Sequence, residues 1–337
     1  MKVGLYLTNQ HHLTTDMVIA LDEQISMVHH IRDYGWDSVF SGQHYLNEGN
    51  NQALQVVPFL ARLIPEAGDL TIGLGILLLN LHNPVYTAET IATLDIIAKG
   101  RLVFGVGLGY RAVEFNAFAV PKGVRAKRFE EYLTLIRKLW TEDSVTHNGE
   151  TCSLDNVRMN LRPVQEPYPP IWIAANNEAA IKRAARMSDA WMLNPHSTIK
   201  TIRRHMRIYR AALEAAGKNF PSELPILKEV YCAKDRTSAL EKAGPFLQGK
   251  YHDYRRWGQD KVMPDNENFA KTLSNLARDR FILGSPDDCY DQLRPYWEEF
   301  GINHLLIRTH WAGMPAELSF ESMELLSKEL LPRLRAI

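Results

Sequence analysis

Cysteine is scarce in this sequence, and neither sign of charge is in excess. The three cysteines, Cys152, Cys232 and Cys289, are odd in number and far apart. That spacing supports neither a disulfide framework nor a zinc site, and it fits a reducing cytoplasm. Lys plus Arg and Asp plus Glu both number 39, so the net charge is zero. No basic block stands out, which argues against a nucleic-acid partner held by a broad electrostatic footprint. Long hydrophobic runs are also missing. The longest, Ile72–Leu81, falls well short of the roughly 20 apolar residues that cross a bilayer, so no membrane partner is expected. The N-terminus reads from Met1 straight into a strand-like Val3-Gly4-Leu5-Tyr6. It has no basic start, long apolar centre or small-residue cleavage site of a signal peptide, and the expected location is cytoplasmic.

Several chemical signatures are absent as well. There is no HExxH, no GxSxG and no P-loop lysine, so metal hydrolysis and serine acyl transfer lack support. His11-His12 and His29-His30 are adjacent in sequence, which gives no i, i+4 helical metal pair, and no metal site is expected. No Pro/Gly/Ser-rich linker divides the chain and no repeat of 20–50 residues is visible, which makes residues 1–337 one domain.

Short β-like runs alternate with helical patterns along the whole sequence. The runs are Val3–Thr8, Ser38–Ser41, Thr71–Leu79, Leu102–Val106, Ile171–Ala174, Ala190–Leu193, Ile226–Tyr231 and His304–Arg308. Thr71–Leu79 is almost continuously apolar, as expected of a parallel strand buried on both faces. Between the runs, Val18, Leu21, Ile25, Val28 and Ile31 recur every three or four residues and share one helix face. Phe129, Leu133, Ile136 and Trp140 do the same. Residues 141–168 read as an excursion with a hairpin at His147–Glu150, and residues 236–280 as long and irregular. Alternation of this kind gives an α/β fold with a parallel sheet, and eight strands close a barrel. The expected fold is a (β/α)8 TIM barrel with insertions after strands four and seven; an open doubly wound sheet is the alternative.

In such a barrel the chemistry sits at the C-terminal ends of the strands. His44 follows the second run there, although a lone loop histidine is often structural. Gly105-Val106-Gly107-Leu108-Gly109-Tyr110 follows the fourth. It does not fit a dinucleotide fingerprint, since Arg111 follows and the next helix starts late. Its glycines either let the backbone approach a ligand or make a tight strand exit. Asn176-Asn177 precedes a helix beginning near Glu178, where asparagine caps the helix and free amides can hold a phosphate. Arg125, Arg128, Glu130 and Glu131 read as a solvated first helical turn. Tyr251–Trp257 reads as a lid or as a surface helix. Tyr110, Trp191, Tyr231, His310 and Trp311, near predicted strand ends, are candidate walls of a substrate pocket.

The ordered series Gly73-Leu74-Gly75-Ile76, His82-Asn83-Pro84, Ala88-Glu89, Leu94-Asp95, Gly100-Arg101-Leu102 and Gly105–Gly109 resembles the luciferase-like monooxygenases, the bacterial luciferase superfamily. Pro169–Ala174, Asp189-Ala190-Trp191 and Leu283-Gly284-Ser285-Pro286 agree with it. The resemblance implies reduced FMN, or the related 8-hydroxy-5-deazaflavin, at the barrel mouth. It places the active-site histidine at His44, where it would hold or protonate a flavin peroxide. Gly75, Ile76, Asn80, Leu108, Gly109, Tyr110, Ala175, Asn176 and Asn177 fall at its cofactor-binding positions, with a non-proline cis peptide near Gly75-Ile76. Where the luciferases have Glu-His-His-Phe, this chain has Gln43-His44-Tyr45-Leu46, and Gly107 stands at the position of their reactive cysteine. Both departures point away from light emission. The resemblance further implies a homodimer through the second and third helices, with Leu60 and Ile64 facing the partner. The function it implies first is a two-component monooxygenase fed by a separate flavin reductase and acting on a small organic substrate. A deazaflavin-dependent dehydrogenase or reductase and a non-catalytic flavin-binding protein are the alternatives.

Overall fold

The structure is a computed structural model and describes residues 1–264, 267, 269–278 and 280–337. Eight parallel strands form the frame: β1 (Lys2–Leu7), β2 (Ser38–Ser41), β3 (Thr71–Leu74), β4 (Leu102–Gly107), β5 (Ile171–Ala174), β6 (Ala190–Met192), β7 (Pro225–Cys232) and β8 (His304–Arg308). They pair in the order β6-β5-β4-β3-β2-β1-β8-β7. A parallel bridge between Leu193 and Ile226 joins the two ends of this order. There the Leu193 amide donates to Pro225 O and the Leu227 amide to Leu193 O, each at 3.0 Å. The sheet therefore curls into a barrel, as the strand count predicts. A short strand, Phe281–Gly284, adds to the C-terminal half of β7.

Helices cover the barrel: α1 (Met17–Asp33), α2 (Val56–Leu63), α3 (Pro84–Ile97), α4 (Ala112–Ala117), α5 (Arg125–Thr141), α6 (Glu178–Met187), α7 (Ile199–Ala215) and α8 (Arg236–Arg256). Phe129, Leu133, Ile136 and Trp140 form the buried stripe of α5, as their spacing predicts. On α1 the stripe is rotated: Ile25, Val28 and Ile31 are buried, whereas Val18 is exposed. The hairpin at residues 147–150 forms between strands Val145–Asn148 and Ser153–Val157. No helix among the described residues is long and apolar enough to cross a membrane.

Three expectations are corrected. The third strand ends at Leu74 rather than Leu79, and the Gly75–Ile76 bond that follows is cis. The chain resumes as Leu77–Leu78, paired to Val106 and Gly107 of β4. Residues 236–256, read as irregular, form the 21-residue helix α8. Gly244, Pro245 and Gly249 hide its periodicity, yet Ala239, Ala243, Leu247 and Tyr251 recur every four residues and are all buried. Leu60 and Ile64 lie in the chain's own core and present nothing to a partner. The exposed large apolar residues of α3 are Tyr86, Ile96 and Ile97.

The lower barrel is filled by aromatic packing. Phe40 of β2 stacks on Trp172 of β5 with centroids 5.2 Å apart. The His304 ring stands edge-on to both, at 6.0 and 5.5 Å. Its Nε2 lies 2.8 Å from Ser38 Oγ, and its Nδ1 meets Glu223. This layer plugs the bottom, so open space remains at the C-terminal strand ends. Burial works to raise the Glu223 carboxyl, but its bonds to His304 and Lys2 outweigh that and bring its pKa down to about 2. A carboxyl lowered in the fold stabilises fully above its unfolded value, and the contribution is lost as pH falls through the folded one. Between about pH 5 and about pH 3 the urea midpoint should therefore fall further in the wild type than in Glu223→Gln. Equal falls would show that the pair contributes nothing.

Candidate active site

A cavity of about 310 Å³ opens at the C-terminal ends of the strands, within the usual size of ligand pockets. His44 reaches it from the residues just after β2. The ring is held through Nδ1, which lies 3.2 Å from Glu114 Oε1 on the short helix α4. The same carboxylate oxygen accepts the Tyr45 amide at 3.0 Å and Arg111 Nη1 at 3.3 Å. Burial works to raise the Glu114 carboxyl, but the contacts with His44, Tyr45 and Arg111 outweigh it and hold its pKa below the ordinary carboxylate range. Arg111 also donates to Tyr45 O and Leu46 O at 2.6 and 2.9 Å. Its guanidinium lies 4.7 Å over the Trp257 ring at the end of α8.

The glycine-rich exit of β4 packs closely on the turn after β3. A Cβ at Gly105 would lie 1.8 Å from Leu74 O, and one at Gly107 2.7 Å from Ile76 Cδ1. Gly109 has φ of +73°, a conformation that favours glycine. The glycines therefore make a tight exit, and the segment from Gly107 to Tyr110 lines the cavity. Across β5, Asn177 caps α6 by accepting the Ala180 amide at 3.0 Å. The Glu178 and Ala179 amides of the first turn have no partner within the helix, so this end is suited to an anion. Asn176 accepts from Asn194 at 2.7 Å.

The far wall carries a second buried carboxylate. Glu229 of β7 is fully buried and accepts from Lys250 of α8 and, through Oε2, from Trp311 Nε1 at 2.6 Å. Arg308, the last residue of β8, lies 3.5 Å from Glu229 Oε1 and 4.3 Å over the Tyr6 ring. Lys250, Tyr254 and Trp257 place one face of α8 over the mouth. The aromatic and charged segment thus covers the cavity, while its His252, Arg255 and Arg256 face solvent.

Most of the residues chosen from sequence come together here. His44, Gly75, Ile76, Leu108, Gly109, Tyr110, Ala175, Asn176, Asn177 and Trp311 all line the cavity. Asn80 does not: it is buried beneath, donating to Leu108 O at 2.7 Å, and so positions the β4 exit. Trp191, Tyr231 and His310 do not line the cavity either. Trp191 points outward from β6 against Tyr209, with Nε1 donating to Ala175 O at 3.1 Å. The Tyr231 hydroxyl is turned to Leu318 O at 2.8 Å, and His310 Nε2 to Met314 O at 2.9 Å. Tyr45, at the position of the luciferases' second histidine, packs on Phe118 and meets His82 instead of the cavity.

Sequence reasoning missed Glu114, Arg111, Glu229, Lys250 and Arg308. A signal existed for two of them: Glu229 interrupts an otherwise mainly apolar strand, and Arg308 is a charge at the C-terminal end of a barrel strand. The solvated-turn reading at residues 125–131 also gives way. Arg125 lines the cavity, Glu130 pairs with Arg183 at 2.7 Å, and Glu131 accepts from the Thr151 and Cys152 amides, each at 3.2 Å.

A flavin or deazaflavin tests well against these residues. The hydroxyl of Tyr110 and Nε1 of Trp257 are buried donors with no hydrogen-bond partner among the described residues, and both belong to residues lining the cavity. An amide-rich helix start and the Arg125 side chain suit a phosphate. No cluster of three or more metal-binding side chains occurs among the described residues.

Fold and cavity define a parallel α/β barrel with a cavity at its mouth, and similarity to known proteins makes the class specific. Residues 1–304 match the luciferase-like monooxygenase family, and the chain belongs to that family of flavin- and F420-dependent oxidoreductases. It is 26% identical over 333 residues to the F420-dependent glucose-6-phosphate dehydrogenase of Amycolatopsis mediterranei, covering 90% of this chain and 92% of that one. It is 25% identical over 330 residues to the oxygenase component of the flavin-dependent trigonelline monooxygenase of Acinetobacter baylyi, covering 92% and 89%. The crystal structure of monooxygenase RslO1 from Streptomyces bottropensis superimposes with a TM-score of 0.85 at 25% identity, covering 99% of both chains.

Replacing Glu114 by Ala strands the buried Arg111 charge and frees His44. We expect a loss of about 3 kcal/mol in urea unfolding. A loss below about 1 kcal/mol would show that the carboxylate does not hold the mouth together.

Proposed function

We propose that this protein is the oxygenase component of a two-component monooxygenase. It would take reduced FMN from a separate reductase and oxidise a small organic substrate with oxygen. The observation that carries this reading is His44, fixed through Nδ1 by a buried carboxylate at the wall of an aromatic-lined cavity. The flavin supplies the redox chemistry and the reaction with oxygen. The protein's part is to bind, orient, keep dry and move a proton. The start of α6 with Asn176 and Asn177, together with Arg125 and Leu108–Tyr110, would hold the phosphate. Gly75 and Ile76 would back the ring. Trp257 and Tyr254 of α8 would exclude water, which otherwise promotes wasteful loss of hydrogen peroxide. His44 Nε2 would hold or deliver a proton, with Glu114 fixing the ring's orientation.

The relative named as F420-dependent supports a second reading, in which the same cavity takes 8-hydroxy-5-deazaflavin and transfers hydride without oxygen. The two readings differ in their use of oxygen. When reduced FMN is mixed with oxygen and excess protein, we expect hydrogen peroxide release to slow about tenfold relative to free reduced FMN, and His44→Ala to recover much of the free rate. A time course identical with and without protein contradicts the oxygenase reading. A slowed release that His44→Ala leaves untouched removes His44 from the chemistry.

A further inference from the structure

We propose that the β7–β8 side of the mouth is a subsite for the carboxylate of a planar, apolar substrate, held by Arg308 and Lys250. The proposal rests on the reading of the mouth as an active site and names the class of substrate it takes.

The argument begins with charge. Lys250 and Arg308 are both nearly excluded from solvent, and both line the cavity. Glu229 is the carboxylate that both of them contact. The neighbouring acid on α8, Asp253, is engaged by Asn51 at 2.6 Å and Arg256 at 3.0 Å. Two buried cations therefore share one carboxylate. An uncompensated buried charge costs several kcal/mol, so a fold that keeps one beside a cavity is built to receive its counterion there. Geometry agrees. Arg308 Nε is buried with no hydrogen-bond partner among the described residues. A guanidinium offers a planar fork matched to a carboxylate, and Lys250 adds a point charge beside it. Burial first, and then the Arg308 charge, bring the Lys250 ammonium down to about 7 despite Glu229, so a carboxylate bound beside it would favour its charged form.

A purely structural role does not account for this set. Lys250 paired with Glu229 fastens α8 to the barrel and Arg308 adds a bond to Tyr254 of that helix, yet Arg308 Nε is still left without a partner among the described residues. The cofactor's phosphate is an unsuitable occupant, because its proposed site follows β4 and β5, on the opposite side of an eight-stranded ring from β8. Tyr6, Tyr254 and Trp311 wall the space around the two cations, which favours a planar apolar body attached to the anion.

The test uses the apoprotein and two isosteric probes, benzoate and benzamide, titrated by the fluorescence of the cavity-lining Trp257 and Trp311. Benzoate should bind about tenfold more tightly than benzamide. Arg308→Met and Lys250→Met should each remove most of that preference while leaving benzamide affinity in place, and Arg308→Lys should keep part of it. Equal affinities in the wild type, or no benzoate binding up to about 10 mM, overturn the proposal without recourse to any variant. Reduced FMN is titrated separately. If its affinity falls in step with that of benzoate in Arg308→Met, the cations serve the cofactor and the substrate assignment is overturned. A benzoate preference in a protein that binds no flavin sinks the oxygenase reading and leaves the subsite standing.

Discussion

Glu114 is a carboxylate taken out of water, and the mouth of the barrel is arranged around satisfying it. One of its oxygens gathers the His44 ring, the Tyr45 amide and the Arg111 guanidinium. Those groups come from the loops after β2 and β4, so a single buried charge fixes the spacing of the two. Arg111 passes the constraint on, since its guanidinium lies over Trp257 at the end of the covering helix α8. The orientation of the His44 ring and the seat of the covering helix thus follow from one desolvated acid that is stable only with these partners.

The bottom of the barrel obeys the opposite rule. Phe40, Trp172 and His304 fill it, with Ser38 and Glu223 satisfying the histidine at both ring nitrogens. With the lower interior closed, the groups available to a ligand are those at the C-terminal strand ends. Glu114 and Glu229 stand on different sides of that opening, each with two cationic or titratable partners. Pocket and scaffold therefore differ: aromatic packing around one ion pair fills the bottom, and buried charges line the mouth.

The strands were legible because a parallel strand buried on both faces must be an apolar run, and these runs are bounded by glycine and polar residues. The chemistry after β2, β4 and β5 was legible through His44, the glycine series and Asn176-Asn177, whose residue types suit close backbone approach and anion binding. Side-chain direction was not. Trp191 sits on a strand facing the cavity, but alternation turns its ring outward, between Ala190 and Met192, which point inward. The helix α8 was hidden by Gly244, Pro245 and Gly249, and with it Lys250. Glu114 lies in a six-residue helix too short to show a period, and nothing local announces that its partners come from a loop some seventy residues earlier.

The central claim is a flavin-type cofactor seated at this mouth, with its phosphate at the start of α6. Anaerobic titration of the purified protein with reduced FMN and, separately, with the reduced deazaflavin tests it most directly. The account predicts that reduced FMN binds with a Kd of about 1 μM or tighter and that Asn177→Asp, which keeps the helix cap but adds a negative charge, weakens binding about tenfold. Binding of neither cofactor would contradict the claim, and unchanged affinity in Asn177→Asp would place the phosphate elsewhere.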